Sequence, residues 1–177
     1  MLSRRISIKL PKPLPRAMDP LDMKRLLAVV QKIRDRTMIL VFLRTGIRIG
    51  KLLRPRVSDF YLPERRDTLV VGEKNQTGRA VYLGVDACQA LQEWIRKRVQ
   101  EKPLLFCGHG RSSLGYTAAR VMFQRYLQKA GISEKGYSLH GLRHTCTTEV
   151  LNAGTRLECL QQVLGHSNRE QTRRYAR

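Results

Sequence analysis

The stretch His140-Gly141-Leu142-Arg143-His144, followed by Leu164-Gly165-His166 and, nine positions later, by Tyr175, gathers a guanidinium, three imidazoles and a phenol between residues 140 and 177. Such a set suits chemistry on a phosphodiester. Attack at phosphorus builds negative charge on the non-bridging oxygens, and fixed donors must meet it there. Arginine does this best, because its planar fork matches two oxygens of one phosphate. A tyrosine can act as a covalent nucleophile, splitting one displacement into two. Its phenol, with an ordinary pKa near ~10, needs cationic neighbours or a base close by. The same segment supplies both.

Working outward, the charge of the chain points the same way. Its 177 residues suit one domain, and 42% apolar residues are enough for one core. Lys and Arg outnumber Asp and Glu by 34 to 14, a net charge of +20. Residues 1–66 carry 17 basic and 5 acidic side chains (+12), residues 67–110 carry 6 and 5 (+1), and residues 111–177 carry 11 and 4 (+7). The excess therefore sits in the two segments that also hold the candidate chemistry, and a polyanion is the natural partner. A ribosomal-type or membrane-surface basic protein is the bland alternative, but neither normally needs so regular a helical apolar pattern.

Cys88, Cys107, Cys146 and Cys159 stand apart with no C-x-x-C pair, which argues against a zinc ribbon or redox motif and for reduced, partly buried thiols. No run approaches 18 apolar residues, and the N-terminal residues lack the apolar stretch of a secretion signal. A soluble, cytoplasmic protein with no membrane contact is expected.

Residues 1–17, with Pro11, Pro13 and Pro15 alternating with Lys12 and Leu14, read as an extended basic linker or arm. Asp19-Pro20 gives an N-cap and a first-turn proline, and Met23, Leu26, Leu27, Val30 and Ile33 then predict a helix of about 15 residues. A second helix, roughly Thr37 to Leu43, stops at Gly46, and a short third runs from Ile47 to Leu53 with Arg48 early on it. Residues 57–61, 68–73 and 79–83 read as three strands, the last two joined at Asn75-Gln76-Thr77-Gly78. Helices are expected from Asp86, from about Leu114 to Ala130, from His140 to Asn152, from Thr155 to Val163, and in a last short piece carrying Tyr175. The expected fold is α+β: a mainly helical domain with a small three-stranded antiparallel sheet.

Four segments in order resemble the tyrosine recombinase, or phage integrase, family. Thr45-Gly46-Ile47-Arg48-Ile49-Gly50-Lys51-Leu52-Leu53 is similar to its first-arginine segment, and Gly72-Glu73-Lys74-Asn75-Gln76-Thr77-Gly78-Arg79 to its lysine hairpin. His140-Gly141-Leu142-Arg143-His144 matches its histidine and second-arginine box, and Leu164-Gly165-His166 with Tyr175 its final box. Each alone is weak, and four in order are strong. The pattern spans nearly the whole chain. Arg48 and Arg143 lie 95 positions apart, so only a fold that joins the two helical regions lets both grip one phosphate.

The resemblance implies the catalytic-domain fold of that family and the roles that go with it. Arg48 and Arg143 would clamp the scissile phosphate, and Lys74 would protonate the departing 5′ oxygen. His140 and His166 would hydrogen-bond the phosphate or manage the tyrosine proton, and Tyr175 would attack to give a 3′-phosphotyrosyl link. His144, next to Arg143 on a helix, belongs to the supporting shell, because adjacent positions cannot face one point. The implied function is site-specific DNA recombination or integration on double-stranded DNA.

A metal is not expected, and no cofactor. His140 and His144 have the spacing of a helical zinc pair, but Gly141 stands where a zinc protease needs Glu and Arg143 adds positive charge where a cation would bind. Lys51 departs from the family's usual Glu after the first arginine, and Pro55 from a helix-compatible residue. The chain thus divides into the arm, 1–17, and a catalytic domain, 18–177, with the family's N-terminal core-binding domain and C-terminal tail expected to be absent. A monomer in isolation is expected, with a tetramer on DNA for the full-length protein. Two other readings stay open: a catalytically inactive DNA-binding remnant of an integrase, and a type IB topoisomerase-like strand transferase.

Overall fold

The structure, a computed structural model, describes residues 16–61, 68–71, 79–98, 102–108 and 113–154. Helix α1 spans Pro20–Val29 and starts as the sequence predicts, with the Asp19 carboxylate accepting from the Leu21 N–H (2.8 Å) and Pro20 in the first turn. It ends earlier than the apolar periodicity predicts. The backbone turns out of helix at Val30, and α2 begins at Ile33 and runs to Thr45. No Gly or Pro marks this break. Side chains make it instead: Gln31 donates to the Ala28 carbonyl and Arg36 to that of Leu27, taking up the C-terminal carbonyls of α1.

Helix α2 is the spine of the domain. Its run Thr37–Leu43 is buried throughout, and it packs against α4 (Val85–Lys97) and α6 (Leu139–Asn152), while α1 packs against α5 (Tyr116–Lys129). One apolar cluster joins these helices, with Leu26, Val41, Leu91, Phe106, Phe123 and Leu142 fully enclosed. An aromatic ring so enclosed contributes strongly; truncating Phe123 to Ala costs about 3–5 kcal/mol. Among the described residues no helix is long and apolar enough to cross a membrane.

Between α2 and α4 lie α3 (Ile49–Leu52) and an antiparallel sheet in the order β1-β2-β3, formed by Phe60–Tyr61, Thr68–Val71 and Arg79–Tyr82. Phe60 pairs with Leu69 and Val71 with Arg79. Residues 57–59, expected to open the first strand, form a 3-10 turn instead, because Asp59 folds back to accept the Arg56 N–H (2.7 Å). The expected helices after Thr155 lie outside the described residues.

Candidate active site

Two chain segments that are distant in sequence build the site. The first is the turn that ends α2. Gly46 takes the left-handed conformation (φ 55°) and its N–H closes on the Phe42 carbonyl, the Cβ-free geometry that ends a helix within one residue. Thr45 donates to the Val41 carbonyl (2.6 Å) and accepts from the Ile47 N–H (3.4 Å), fixing the turn from inside. With Ile47 buried, Arg48 emerges exposed as the N-cap of α3, one position ahead of the helix on which the sequence places it.

The second segment is α6. Ser138 caps it by accepting from the Gly141 N–H (3.1 Å). Its packed surface is not an apolar stripe: Leu139, Leu142 and Cys146 alternate with buried Arg143, Thr145 and Thr147. The threonines satisfy themselves locally, Thr145 donating to the Gly141 carbonyl and Thr147 to that of Arg143 (2.9 Å each). Arg143 is 3% exposed, and its Nη1 donates to the carbonyl of Gly46. The second arginine is thus tied to the turn that presents the first.

His140 stands exposed in the first turn of α6. Loss of surrounding water first, then the positive charges of Arg143 and Arg48, hold its pKa below the ordinary 6.5. Both arginines act on it, so the two guanidinium groups form one cationic group beside His140. His144, one turn along, is also held below 6.5, by desolvation first and then by His140. Both imidazoles are thereby biased toward the neutral form, which can accept a proton. Such a group is shaped for an anion, and a neutral imidazole beside it can take a proton from a nearby hydroxyl. Cys146 supplies no competing nucleophile: burial, then Glu149, pushes its thiol up to about 12. Lys74, His166 and Tyr175 lie outside the described residues.

Sequence reading missed one support of this site. Arg44, one residue before Thr45, grips both oxygens of Asp86 at the start of α4 (Nε at 3.0 and 3.1 Å, Nη2 at 2.8 Å) and reaches Glu149 on α6 at 3.9 Å. It ties α2 to both α4 and α6. Its signal in the sequence is faint, since an arginine in the last turn of a helix reads as dipole compensation. A cavity of about 810 Å³ between the start of α2 and α5 is lined by Arg34, Val121, Arg125 and Tyr126 among others, and by none of the site residues.

Known proteins resemble this chain in sequence and in fold. Over 174 residues, 96% of this chain, the sequence is 28% identical to tyrosine recombinase XerA of Pyrococcus furiosus, covering 59% of that protein. A crystal structure of XerA recombinase superposes with a TM-score of 0.83 at 28% identity, over 97% of this chain and 62% of that one. The XerH site-specific recombinase, bound to its difH substrate in a pre-cleavage complex, superposes with a TM-score of 0.81 at 25% identity, over 93% of this chain and 51% of that one. The chain spans about half to three-fifths of the length of these relatives. The sequence model of the phage integrase family matches residues 16–177, from the segment ahead of α1 through His166 and Tyr175, and the chain belongs to that family.

Proposed function

We propose that this chain is the catalytic domain, residues 18–177, of a cytoplasmic site-specific recombinase or integrase that cleaves and rejoins double-stranded DNA through a 3′-phosphotyrosine. The observation that carries the reading is the bond from Arg143, buried in α6, to the Gly46 carbonyl, in the turn that presents Arg48 at the N-cap of α3. Family membership and the likeness to XerH, solved with its difH substrate, support it. Arg48 and Arg143 grip the scissile phosphate and stabilise the charge that grows on its oxygens. His140 and His166 hydrogen-bond that phosphate or take the phenol proton, and His144 supports them from the next turn of α6. Tyr175 attacks phosphorus, the Tyr–O–P bond forms as the P–O5′ bond breaks, and Lys74 delivers a proton to the leaving oxygen. Reversal of these steps by another 5′-hydroxyl rejoins the strand. No step calls for a metal or cofactor. The full-length protein acts as a tetramer on DNA, and this domain alone is a monomer.

The test is covalent capture on a pool of nicked duplexes of randomised sequence, in excess chelator. An adduct that resists denaturant, carries a phosphotyrosine at 175 and disappears in Tyr175→Phe while duplex binding persists is the expected result. Binding without an adduct would leave a DNA-binding remnant, and sequence-independent relaxation of supercoiled DNA would make the chain a topoisomerase.

A further inference from the structure

The chain ahead of α1 is attached to the very turn of α6 that carries His140 and Arg143. Residues 16–19 have no regular secondary structure, and a Cβ placed on Gly141 would lie 2.9 Å from the carbonyl oxygen of Arg16. That obstacle is backbone, which cannot rotate away as a side chain can. One turn further along α6, Thr145 Oγ1 accepts the Met18 N–H (2.8 Å) while donating its own proton to the Gly141 carbonyl. Tyr137, just ahead of α6, holds the other side of the segment. Its hydroxyl accepts from the Asp19 N–H (3.4 Å) and donates to Asp22 (2.7 Å), and Arg16 lies over its ring, 5.8 Å from the centroid. Asp22, 1% exposed, also takes Lys135 Nζ at 2.6 Å and Arg25 at 3.5 Å. Gly141 and Thr145 are one helical turn apart and share a face, with Leu142, Arg143 and His144 between them and His140 directly before.

We infer that Arg16–Asp19 is a clasp on the first turns of α6, and that Gly141, Thr145 and Tyr137 are positioning residues that set His140 and Arg143 for the strand-cleavage step. The inference rests on the recombinase reading for its effect on catalysis, and on geometry alone for the clasp itself. Gly141 is required because any side chain there drives the Arg16 backbone off the helix. Thr145 is required for its hydroxyl, which joins the segment to α6. A displacement of the chain ahead of Arg16 is thereby transmitted to the helix that holds the phosphate grip.

The experiment compares Gly141→Ala, Thr145→Val and Thr145→Ser with the unmutated chain, by amide hydrogen exchange and by adduct formation on the pool of nicked randomised duplexes. In Gly141→Ala and Thr145→Val, exchange should rise at residues 16–19 and 139–146 and stay unchanged in α4 and α5. The adduct rate constant at saturating DNA should fall about 10- to 100-fold, and duplex affinity by less than about twofold, as a small misplacement of reacting groups dictates. Thr145→Ser, which keeps the hydroxyl, should restore the rate. A rate within about twofold of the unmutated chain in both disrupting variants, or an equal loss of affinity and rate, overturns the positioning role. If the unmutated chain forms no adduct, the recombinase reading fails, and exchange alone decides the clasp: local loss of protection upholds it, and unchanged protection at residues 16–19 overturns it.

Discussion

The guanidinium of Arg143 donates to the carbonyl of Gly46, 97 positions earlier, in the left-handed turn from which Arg48 emerges. This bond ties together the two segments that carry the cationic side chains. A carbonyl suits this task, because it orients the guanidinium and brings no full charge of its own.

Arg143 is therefore poorly replaced by lysine, whose point charge on a flexible stem cannot hold both the carbonyl and a phosphate. Arg143→Lys is expected to lower the rate of adduct formation about 10²- to 10³-fold, the scale of losing one aligned donor to the developing charge. Arg143→Ala leaves the buried Gly46 carbonyl without this donor and should also lose about 1–3 kcal/mol of stability. Denaturant melts of the two variants, read beside their cleavage rates, separate these effects. An unchanged rate in Arg143→Lys would remove the guanidinium from the mechanism.

What the sequence discloses follows from how local each cause is. Asp19-Pro20 and Gly46 mark helix ends by their own backbone chemistry, and both stand where the sequence places them. The break at Val30 does not show, because Gln31 and Arg36 make it with side chains common inside helices. Residues 57–59 look extended until the Asp59 carboxylate turns back on the Arg56 N–H. Within the site, the spacing of His140 and Arg143 is legible because a helix sets it. The burial of Arg143 is not, since the Gly46 carbonyl it meets is a group that every residue has. Gly141 looks like a loose position in a motif until the Arg16 backbone is seen against it.

The two histidines of α6 give the fold a pH dependence of definite sign. Both are held below 6.5, His140 by desolvation first and then by Arg143 and Arg48, His144 by desolvation first and then by His140. Between their folded-state pKa values and 6.5 the unfolded chain binds more protons than the folded one, so stability must rise with pH across that window and level off above it. Thermal melts from mildly acidic to neutral pH should show this rise. His140→Asn and His144→Asn should each flatten it, and a melting temperature independent of pH in the unmutated chain would contradict the assignment.

Arg44 and Asp86 join α2 to α4 at a site where both side chains are nearly half exposed, 45% and 44%. Water screens such a pair, and its contribution should be about 0.5 kcal/mol despite the fork geometry. Asp86→Asn is the clean probe, since the amide oxygen can still accept from the Ala87 N–H at the helix start (2.8 Å) while the charge is gone. Urea unfolding of Asp86→Asn, Glu149→Gln and the double variant should show small single losses. A coupling between them reports the shared Arg44.

Arg48 differs from Arg143 in being exposed, and the two should fail differently. Removing an exposed arginine at a helix N-cap leaves no buried group stranded, so Arg48→Ala should leave stability close to that of the unmutated chain. Its loss should appear in DNA binding. With a net charge of +20 the chain should bind duplex DNA with a steep salt dependence, and each phosphate contact contributes about 0.9 to the slope of log affinity against log salt. Arg48→Ala should therefore lower the slope by about one contact's worth, uniformly across sequences, as a phosphate ligand does and a base-reading residue does not. Titrations of several unrelated duplexes at graded salt measure this directly. A slope unchanged by the substitution would place Arg48 away from the backbone, and with it the grip that His140 and Arg143 are proposed to share.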